Sequence, residues 1–243
     1  MTRNRPVPAI PAEEAAYARS LVLHEDNSII AFNKPAGLAV QAGHGIARSL
    51  DDLMAAFAKS NGKRPRLVHR LDQGTSGVIV AAKTQPVAAK LSEAFAGRDV
   101  QKTYLALVKG RLPTADTGVI DAALVKVEEG GKARMIIARP DRKGARAART
   151  GWRVLSREGA FALMQMSPET GRMHQIRVHL MSLGCPILGD ALYGEGQATG
   201  PRLMLHAAKL ELPHPEGGKL ILEAPVPQDF RAAAEAAGLQ AGL

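Results

Sequence analysis

The alternation of apolar and polar positions along the chain predicts many short strands and few helices. Short runs rich in apolar and β-branched residues predict strands, at residues 28–33, 66–70, 77–82, 103–109, 118–127, 133–138, 150–156, 161–167, 203–212 and 220–223. Apolar residues at helical spacing, together with capping signals, predict helices, at residues 13–20, 49–58, 86–95, 173–183 and 229–237. This order of elements predicts an α+β fold around an extended mixed, mostly antiparallel sheet flanked by helices and loops.

Individual residues predict where some of these helices begin and end. Ser49 followed by Asp52 has the spacing of a capping box, and Thr84 is a good cap for helix 86–95. Gly97 is expected to end that helix. Residues 139–149 are strongly basic and unpatterned, which predicts a flexible surface loop.

The charge balance indicates a class of binding partner. The 243 residues include 32 Lys and Arg against 23 Asp and Glu, which gives a formal net charge of +9. Such an excess favours a polyanionic partner, and nucleic acid is the leading candidate. Aromatic residues make up only 4% of the chain, which argues against recognition by rows of stacked rings.

Several classes of protein and site are disfavoured by the sequence. No run approaches the ~20 apolar residues of a membrane helix, and no apolar signal core opens the chain, so a cytoplasmic protein is expected. A single cysteine, Cys185, rules out an internal disulfide framework. His174 and His179 are five residues apart, so they do not share the helix face that a zinc pair needs. Phosphate-binding glycine motifs are also missing.

A dense polar run, HRLDQGTSG at residues 69–77, stands between two predicted strands. It combines the Asp72 carboxylate with the Arg70 guanidinium, hydroxyl groups and glycines that allow a tight turn. An aspartate in a turn is usually only a local cap. Here residues 102–108 (KTYLALV) and 171–179 (GRMHQIRVH) offer further groups for chemistry, and a polar loop between rigid strands is a good place for it.

At these residues the chain resembles the RluA family of pseudouridine synthases. Residues 69–77 are similar to the family's His-Arg-Leu-Asp-x-x-Thr-Ser-Gly motif, and residues 33–40 (NKPAGLAV) to its N-terminal motif. Further matches follow in family order at residues 102–104, 170–179, 184–194 and 205–207. Cys185 stands where a histidine is common in the family, beside the carboxylate motif, so little effect on the chemistry is expected.

The resemblance is to the short, single-domain members of the family. Because the first motif begins at Asn33, no S4-type RNA-binding domain is expected. Residues 1–20 are then an N-terminal arm with a short helix, and residues 21–238 are a pseudouridine synthase catalytic domain with its catalytic cleft at the centre of the sheet. Ribosomal RNA, transfer RNA or both are the implied substrates, with no membrane association and a monomeric state.

The resemblance also implies the chemistry: uridine in RNA is isomerised to pseudouridine without a metal or cofactor. Asp72 is the implied catalytic carboxylate, which either attacks C1′ of the sugar or removes a proton from C2′; both routes stay open. A carboxylate that is shielded from water needs a cation nearby, and Arg177 is implied for this role. Tyr104 is implied to lie against the uracil and to act in removing the C5 proton.

The remaining expected site residues bind the RNA or shape the loop around Asp72. Because a stacked uridine must be flipped out to react, Arg70 is expected to fill the space it leaves, or else to contact a phosphate. Ile176 is expected beneath the base, and Lys34, Lys102 and the basic residues 142–149 at phosphates. The full substrate-binding set is Arg70, His69, Thr75, Ile176, Lys34, Lys102, Arg172 and His174, in which His69 and Thr75 shape the loop.

Two other function classes are weighed against this one. The first is an RNA-binding or RNA-remodelling protein in which isomerisation is secondary or lost; the presence of Asp72 speaks against it. The second is a metal-dependent hydrolase or nuclease. That chemistry needs clustered carboxylates, and the motif blocks supply only Glu169 and Asp190 besides Asp72.

Overall fold

The protein is described by a computed structural model covering residues 10–43, 45–129, 132–194 and 200–239. These ranges contain five α-helices, namely α1 (Ala12–Ser20), α2 (Leu50–Leu53), α3 (Gln85–Gly97), α4 (Gln175–Ser182) and α5 (Gln228–Ala236). They contain twelve strands, namely β1 (Val22–Glu25), β2 (Ile29–Lys34), β3 (Arg66–Leu67), β4 (Ser76–Ala82), β5 (Gln101–Lys109), β6 (Thr117–Asp121), β7 (Leu124–Glu129), β8 (Lys132–Ile137), β9 (Arg149–Glu158), β10 (Phe161–Pro168), β11 (Leu205–Pro213) and β12 (Lys219–Glu223).

The chain divides into two compact units. The first unit consists of Met1–Val100 and Glu211–Ala224, and the second of Gln101–Leu210 and Pro225–Leu243. Strand β11 therefore begins in the second unit and ends in the first.

The first unit is built on β2 and β4. These two strands pair antiparallel, with β1 on the outer side of β2 and β3 paired to β4. All seven residues of β4 are buried, and five of the six residues of β2 are. Strands buried on both faces read as continuous apolar runs, which is why residues 77–82 could be predicted as a strand.

The second unit carries the larger core. Its strands β5, β10, β9 and β6 pair antiparallel in that order, while β7 and β8 form a separate antiparallel hairpin. Inward-facing side chains of β5 and β10 pack with Ile176 and Leu180 of α4 and with Phe230 of α5. Helix α4 is thereby fixed against the core through its apolar face. The α+β class and the mostly antiparallel pairing are confirmed.

Two predicted strands are divided or shortened because the chain changes partner. Predicted strand 118–127 is two strands, since β6 pairs with β9 whereas β7 pairs with β8. Predicted strand 66–70 is β-structure only at β3. One step further along β4, the Val80 N–H donates to Nε2 of His69 at 2.9 Å, so a side chain replaces the next rung of the ladder.

Helix ends differ from the predictions by small amounts. The Ser49–Asp52 capping box is confirmed, but α2 is short and continues as a 3₁₀ helix at Met54–Phe57. Gly97 is the last residue of α3, and Arg98 takes the left-handed φ of +71° that ends the helix. Strand β1 was not predicted, because its VLHE sequence has just two apolar residues in a row.

The N-terminal arm and the basic loop predicted from the sequence can be compared with the structure. Helix α1 confirms the short N-terminal helix, and residues 1–9 of the arm lie outside the described residues. Residues 138–148 form a loop, as predicted, but Arg149 already belongs to β9. Its guanidinium pairs with Glu169 at 2.9 Å and with Asp121 at 3.2 Å.

Gly189 is a position in the second unit where only glycine fits. Its φ is +76°, and an added Cβ would lie 1.8 Å from the carbonyl oxygen of Arg202. Gly189→Ala is therefore expected to cost about 4 kcal/mol or more in the free energy of unfolding, since backbone must move. Gly159 is the matched control, with φ +54° and no atom within 4 Å of an added Cβ. Gly159→Ala should cost about 1–2 kcal/mol. Urea denaturation measures both, and equal losses would contradict the close approach at Gly189.

Candidate active site

The loop that carries Asp72 is braced against the Asn33 motif within the first unit. The backbone turns tightly after Asp72, whose carbonyl oxygen accepts from the Thr75 N–H at 3.0 Å. The next residue, Gln73, is bonded to Gly37 in both directions: Gly37 N–H donates to the Gln73 carbonyl at 2.9 Å, and Gln73 Nε2 donates to the Gly37 carbonyl at 3.0 Å. Two of the matched sequence motifs are thus one structural element.

Lys34 holds the same two segments from inside. Its side chain is fully buried, and its ammonium donates to the carbonyl oxygens of Pro35, Leu38 and Gln73 at 2.9, 2.8 and 3.1 Å. Three carbonyls use all three N–H donors of a lysine. This corrects the expected phosphate contact: Lys34 presents no surface to RNA in this structure, and its charge stabilises the turn beneath the Asp72 loop.

His69 and Thr75 also shape the loop. The His69 ring stacks on Phe95, with centroids 4.4 Å apart, and accepts the Val80 N–H at Nε2. A ring nitrogen that accepts carries no proton, so His69 is present here with its proton on Nδ1. Thr75 is buried. Between these fixed residues, Arg70 is exposed and Asp72 is half-buried.

In the second unit, β5 places Lys102 and Tyr104 on one face, because residues two apart in a strand point the same way. Tyr104 lies opposite Met166 of β10 and packs against the apolar core. Both side chains are half-buried. Burial lowers the pKa of the Lys102 ammonium.

A buried amide fixes the start of α4. Gln175 donates from Nε2 to the Arg149 carbonyl at 3.0 Å and to Thr150 Oγ1 at 2.9 Å. Its Oε1 accepts from Thr170 Oγ1 at 2.7 Å and from the Arg172 N–H at 3.0 Å. All four bonding positions of the amide are satisfied, so the first turn of α4 is held to β9 and to the segment that follows β10 by a complete polar network.

Arg177, in the first turn of α4, forms a two-pronged ion pair with Asp190. The distances from Nε to Oδ2 and from Nη2 to Oδ1 are both 2.8 Å. The Asp190 side chain has no exposed surface and that of Arg177 is 11% exposed. Asp190 also accepts the N–H groups of Leu192 and Tyr193 on Oδ1, at 3.0 and 3.1 Å. Backbone and ion pair together fix the direction of the guanidinium.

Tyr193 completes the support of Arg177. Its ring centroid is 5.0 Å from the guanidinium carbon, which is a cation–π contact. The Tyr193 hydroxyl accepts the Met135 N–H at 2.9 Å and lies 2.8 Å from Nδ1 of His174. His174 has the left-handed φ of +53° that precedes α4, so its ring is held by the same tyrosine that supports Arg177.

His179 and His174 serve separate networks, in agreement with their five-residue spacing. The Nε2 of His179 lies 3.2 Å from the Ala122 carbonyl and must donate to it, so Nδ1 accepts from Thr150 Oγ1 at 2.8 Å. Burial lowers the pKa of this imidazole and raises that of the Cys185 thiol to about 11. Within the described ranges, no three His, Cys, Asp or Glu side chains are grouped to hold a metal ion.

The sequence-predicted residues are distributed over both units. Lys34, His69, Arg70, Asp72 and Thr75 belong to the first unit, and Lys102, Tyr104, Arg172, His174, Ile176 and Arg177 to the second. Ile176 is buried in the core of the second unit, where a residue that lines a site also packs the core. The Nε of Arg172 donates to the Ala147 carbonyl at 3.1 Å.

Sequence reasoning missed Asp190, Tyr193 and Gln175. All three lie in matched motifs, and that was the only signal for them.

Comparison with known proteins identifies the class of the chain. The family model described as RNA pseudouridylate synthase matches residues 28–182. A protein of Zymomonas mobilis named as an uncharacterized RNA pseudouridine synthase is 38% identical over 211 residues, which cover 86% of this chain and 94% of that protein. The dual-specificity RNA pseudouridine synthase RluA of Yersinia pestis is 36% identical, with 88% and 99% covered.

One further relative is longer than this chain, and another similar protein has a solved structure. The ribosomal large subunit pseudouridine synthase D of Nitrosomonas europaea is 39% identical, and the match covers 88% of this chain but only 64% of that protein. The structure of human RNA pseudouridylate synthase domain containing 4 has a TM-score of 0.78 at 30% identity and covers 94% of this chain. None of the described helices is long and apolar enough to cross a membrane.

Asp190→Asn tests how much the buried ion pair contributes. The substitution keeps an oxygen for the two backbone N–H groups but turns an amide N–H toward Arg177, so a buried cation loses its partner. We expect a loss of about 3 kcal/mol in the free energy of unfolding, as for other broken buried pairs. Asp229→Asn is the matched control: its pair with Arg202 is also two-pronged, but Asp229 is 49% exposed. The control should lose about 1 kcal/mol or less. Urea titration measures both, and equal losses would show that burial of the Arg177 pair is unimportant.

Proposed function

The chain belongs to the RluA-type family of RNA pseudouridine synthases, and from this premise we propose that it isomerises uridine in RNA with Asp72 as the reacting carboxylate. The observation that carries the proposal is the family match over residues 28–182, which includes Asp72, Tyr104 and Arg177. The enzyme is thus an isomerase acting on RNA.

The reaction sets simple requirements. The bond from N1 to C1′ breaks, the base turns over, C5 bonds to C1′, C5 loses its proton and N1 gains one. No electrons or groups enter or leave overall, so the chemistry calls for no cofactor. Asp72 either bonds to C1′ or takes the C2′ proton; each route uses an ionised carboxylate. The braces from Lys34, Gly37 and Thr75 support this role, because they fix the backbone at the carbonyl of Asp72 and at Gln73, the residue that follows it.

Arg177 is proposed to orient and stabilise the Asp72 carboxylate. Its pair with Asp190 uses Nε and Nη2. A planar guanidinium suits this task, because its donors lie in one rigid plane. A guanidinium already held by Asp190 and Tyr193 loses little freedom on binding another partner.

Tyr104 is proposed to lie against the uracil and to act in removal of the C5 proton, with Ile176 beneath the base. The contact of Tyr104 with the core supports a fixed ring. Arg70 is proposed to enter the stack when the uridine leaves it. Its exposure supports this role.

The RNA class is proposed from the relatives. One is named as acting on the large ribosomal subunit and another as dual-specificity, so ribosomal RNA, transfer RNA or both are proposed here, with the protein acting as a cytoplasmic monomer. The net charge of +9 supports a polyanionic substrate.

Asp72→Asn tests the central assignment. Ribosomal and transfer RNA labelled with tritium at uridine C5 are incubated with each protein, since isomerisation must expel that hydrogen. Wild-type protein is expected to release tritium from at least one RNA pool. The variant should lose at least about 10⁴-fold in rate, because an amide is neither a nucleophile nor a base here, while its affinity for RNA stays within a few-fold.

The two failures of this experiment have different meanings. Tritium release by Asp72→Asn at the wild-type rate would remove Asp72 from the reaction. Binding of both RNA pools by wild-type protein without any release would instead favour the RNA-binding class over the synthase.

Arg177→Lys tests the orienting role. Lysine keeps the positive charge but cannot make the two-pronged bond to Asp190 and present a further N–H in the same plane. We expect single-turnover tritium release at saturating RNA to fall about 100-fold, comparable to the loss of one fixed donor in other active sites. RNA affinity should change little. Lys126→Arg is the control, since Lys126 is exposed on β7 and pairs with Glu128. An unchanged rate in Arg177→Lys would show that charge alone suffices.

A further inference from the structure

A cationic groove lies in the first unit between the turn at residues 59–63 and the junction of β4 and α3. Its volume is about 850 Å³. The charged side chains that line it are Lys59, Lys63, Arg64, Arg66, Lys83 and Asp51. A smaller cavity of about 240 Å³ shares Lys59, Lys63 and Lys83 with it. None of these residues belongs to the proposed catalytic set.

Much of the positive charge of the groove is not compensated by the protein. Asp51 pairs with Arg64 at 3.2 Å, and the Lys83 ammonium lies 2.7 Å from Glu25. Lys59, Lys63 and Arg66 are exposed and form no ion pair within the described part of the chain. Like charges held together repel each other, so this cluster does not serve the stability of the fold.

The three uncompensated cations stand on a defined frame. The Lys59 N–H donates to the Lys63 carbonyl at 2.8 Å, and the Gly62 N–H donates back to the Lys59 carbonyl at 2.8 Å. Gly62 has the left-handed φ of +78° that closes this turn. Arg66 is paired to Ala82 in the β3–β4 ladder. Such a frame lowers the ordering cost of binding an anion.

The lining is unlike that of a small-molecule pocket, which is mostly apolar with a few polar groups. Among the described lining residues of the large groove there is no aromatic side chain, so bases have no ring to stack on. Cations in an open groove without stacking surfaces match the phosphates of a nucleic acid strand.

We propose that this groove binds the phosphodiester backbone of the substrate RNA a few nucleotides away from the reacting uridine. The inference rests on the proposed function for the identity of the RNA. Asp72 follows Arg66 by six positions, so their Cα atoms are at most about 20 Å apart. The bound phosphates therefore belong to the segment that flanks the target, and the groove contributes affinity and register without touching the reacting base.

The test compares two triple variants that lose the same charge. The groove variant is Lys59→Gln, Lys63→Gln, Arg66→Gln. The control variant is Lys90→Gln, Arg98→Gln, Arg153→Gln, at exposed positions outside both cavities. Affinity for the RNA pool that wild-type protein modifies is measured by fluorescence anisotropy over a series of salt concentrations.

The groove variant is expected to bind about 10- to 100-fold more weakly at low salt. Its plot of log K against log salt should be shallower by about 2, because each lost single-strand phosphate contact removes about 0.7 from the slope. kcat/KM for tritium release should fall by the same factor as the affinity. The control variant should lose less than about 3-fold and keep the wild-type slope. A further variant, Lys59→Arg with Lys63→Arg, keeps the charge and should retain the wild-type slope.

Separate readouts distinguish the two hypotheses. Tritium release by wild-type protein tests the proposed function, whereas the difference between the triple variants tests the groove. Equal slopes and affinities for the two triple variants, with wild-type protein active, would overturn the groove while leaving the synthase intact. Unchanged thermal unfolding of the groove variant confirms that a loss of binding is not a loss of fold.

Discussion

The buried pair of Arg177 and Asp190 is the constraint on which the candidate site depends. A guanidinium on a short helix has many rotamers, and the two-pronged bond to a fully buried carboxylate selects one. That carboxylate is itself fixed, because it accepts two backbone N–H groups of the segment that follows it. Taking both ions out of water is costly, and the cost is acceptable only when all of these partners are in place. Tyr193 then closes one face of the guanidinium.

This arrangement changes what Arg177 offers to the chemistry. Because Asp190 already compensates its charge, a second carboxylate receives a directed N–H group more than an attractive net charge. In the proposed mechanism this is an advantage, since a strongly neutralised Asp72 would be a poorer nucleophile or base. In that mechanism Arg177 provides orientation, and the Asp72 carboxylate retains its reactivity.

Local features were predictable from the sequence and long-range partners were not. The Ser49–Asp52 capping box and the buried strand β4 follow from neighbouring residues alone. Lys34, by contrast, was predicted to contact phosphate. Its burial depends on a carbonyl 39 residues away, which the sequence around Lys34 does not indicate. The early end of β3 depends on the His69 ring reaching Val80. A motif marks a residue such as Asp190 as important, but only the folded chain reveals that its partner is Arg177.

The distribution of charge follows from the same constraint. Lys34 is buried with its ammonium bonded to three carbonyls, and Arg177 is paired with Asp190, so both cations are committed to contacts inside the fold. Groups that must be rigid and shielded from water cannot also be the groups that attract phosphates through water. The excess of +9 must therefore act through exposed side chains elsewhere, and Lys59, Lys63 and Arg66 meet that description. Under the proposed function and the proposed groove, affinity and chemistry are carried by different cations, so phosphate binding at the surface would not disturb the geometry around Asp72.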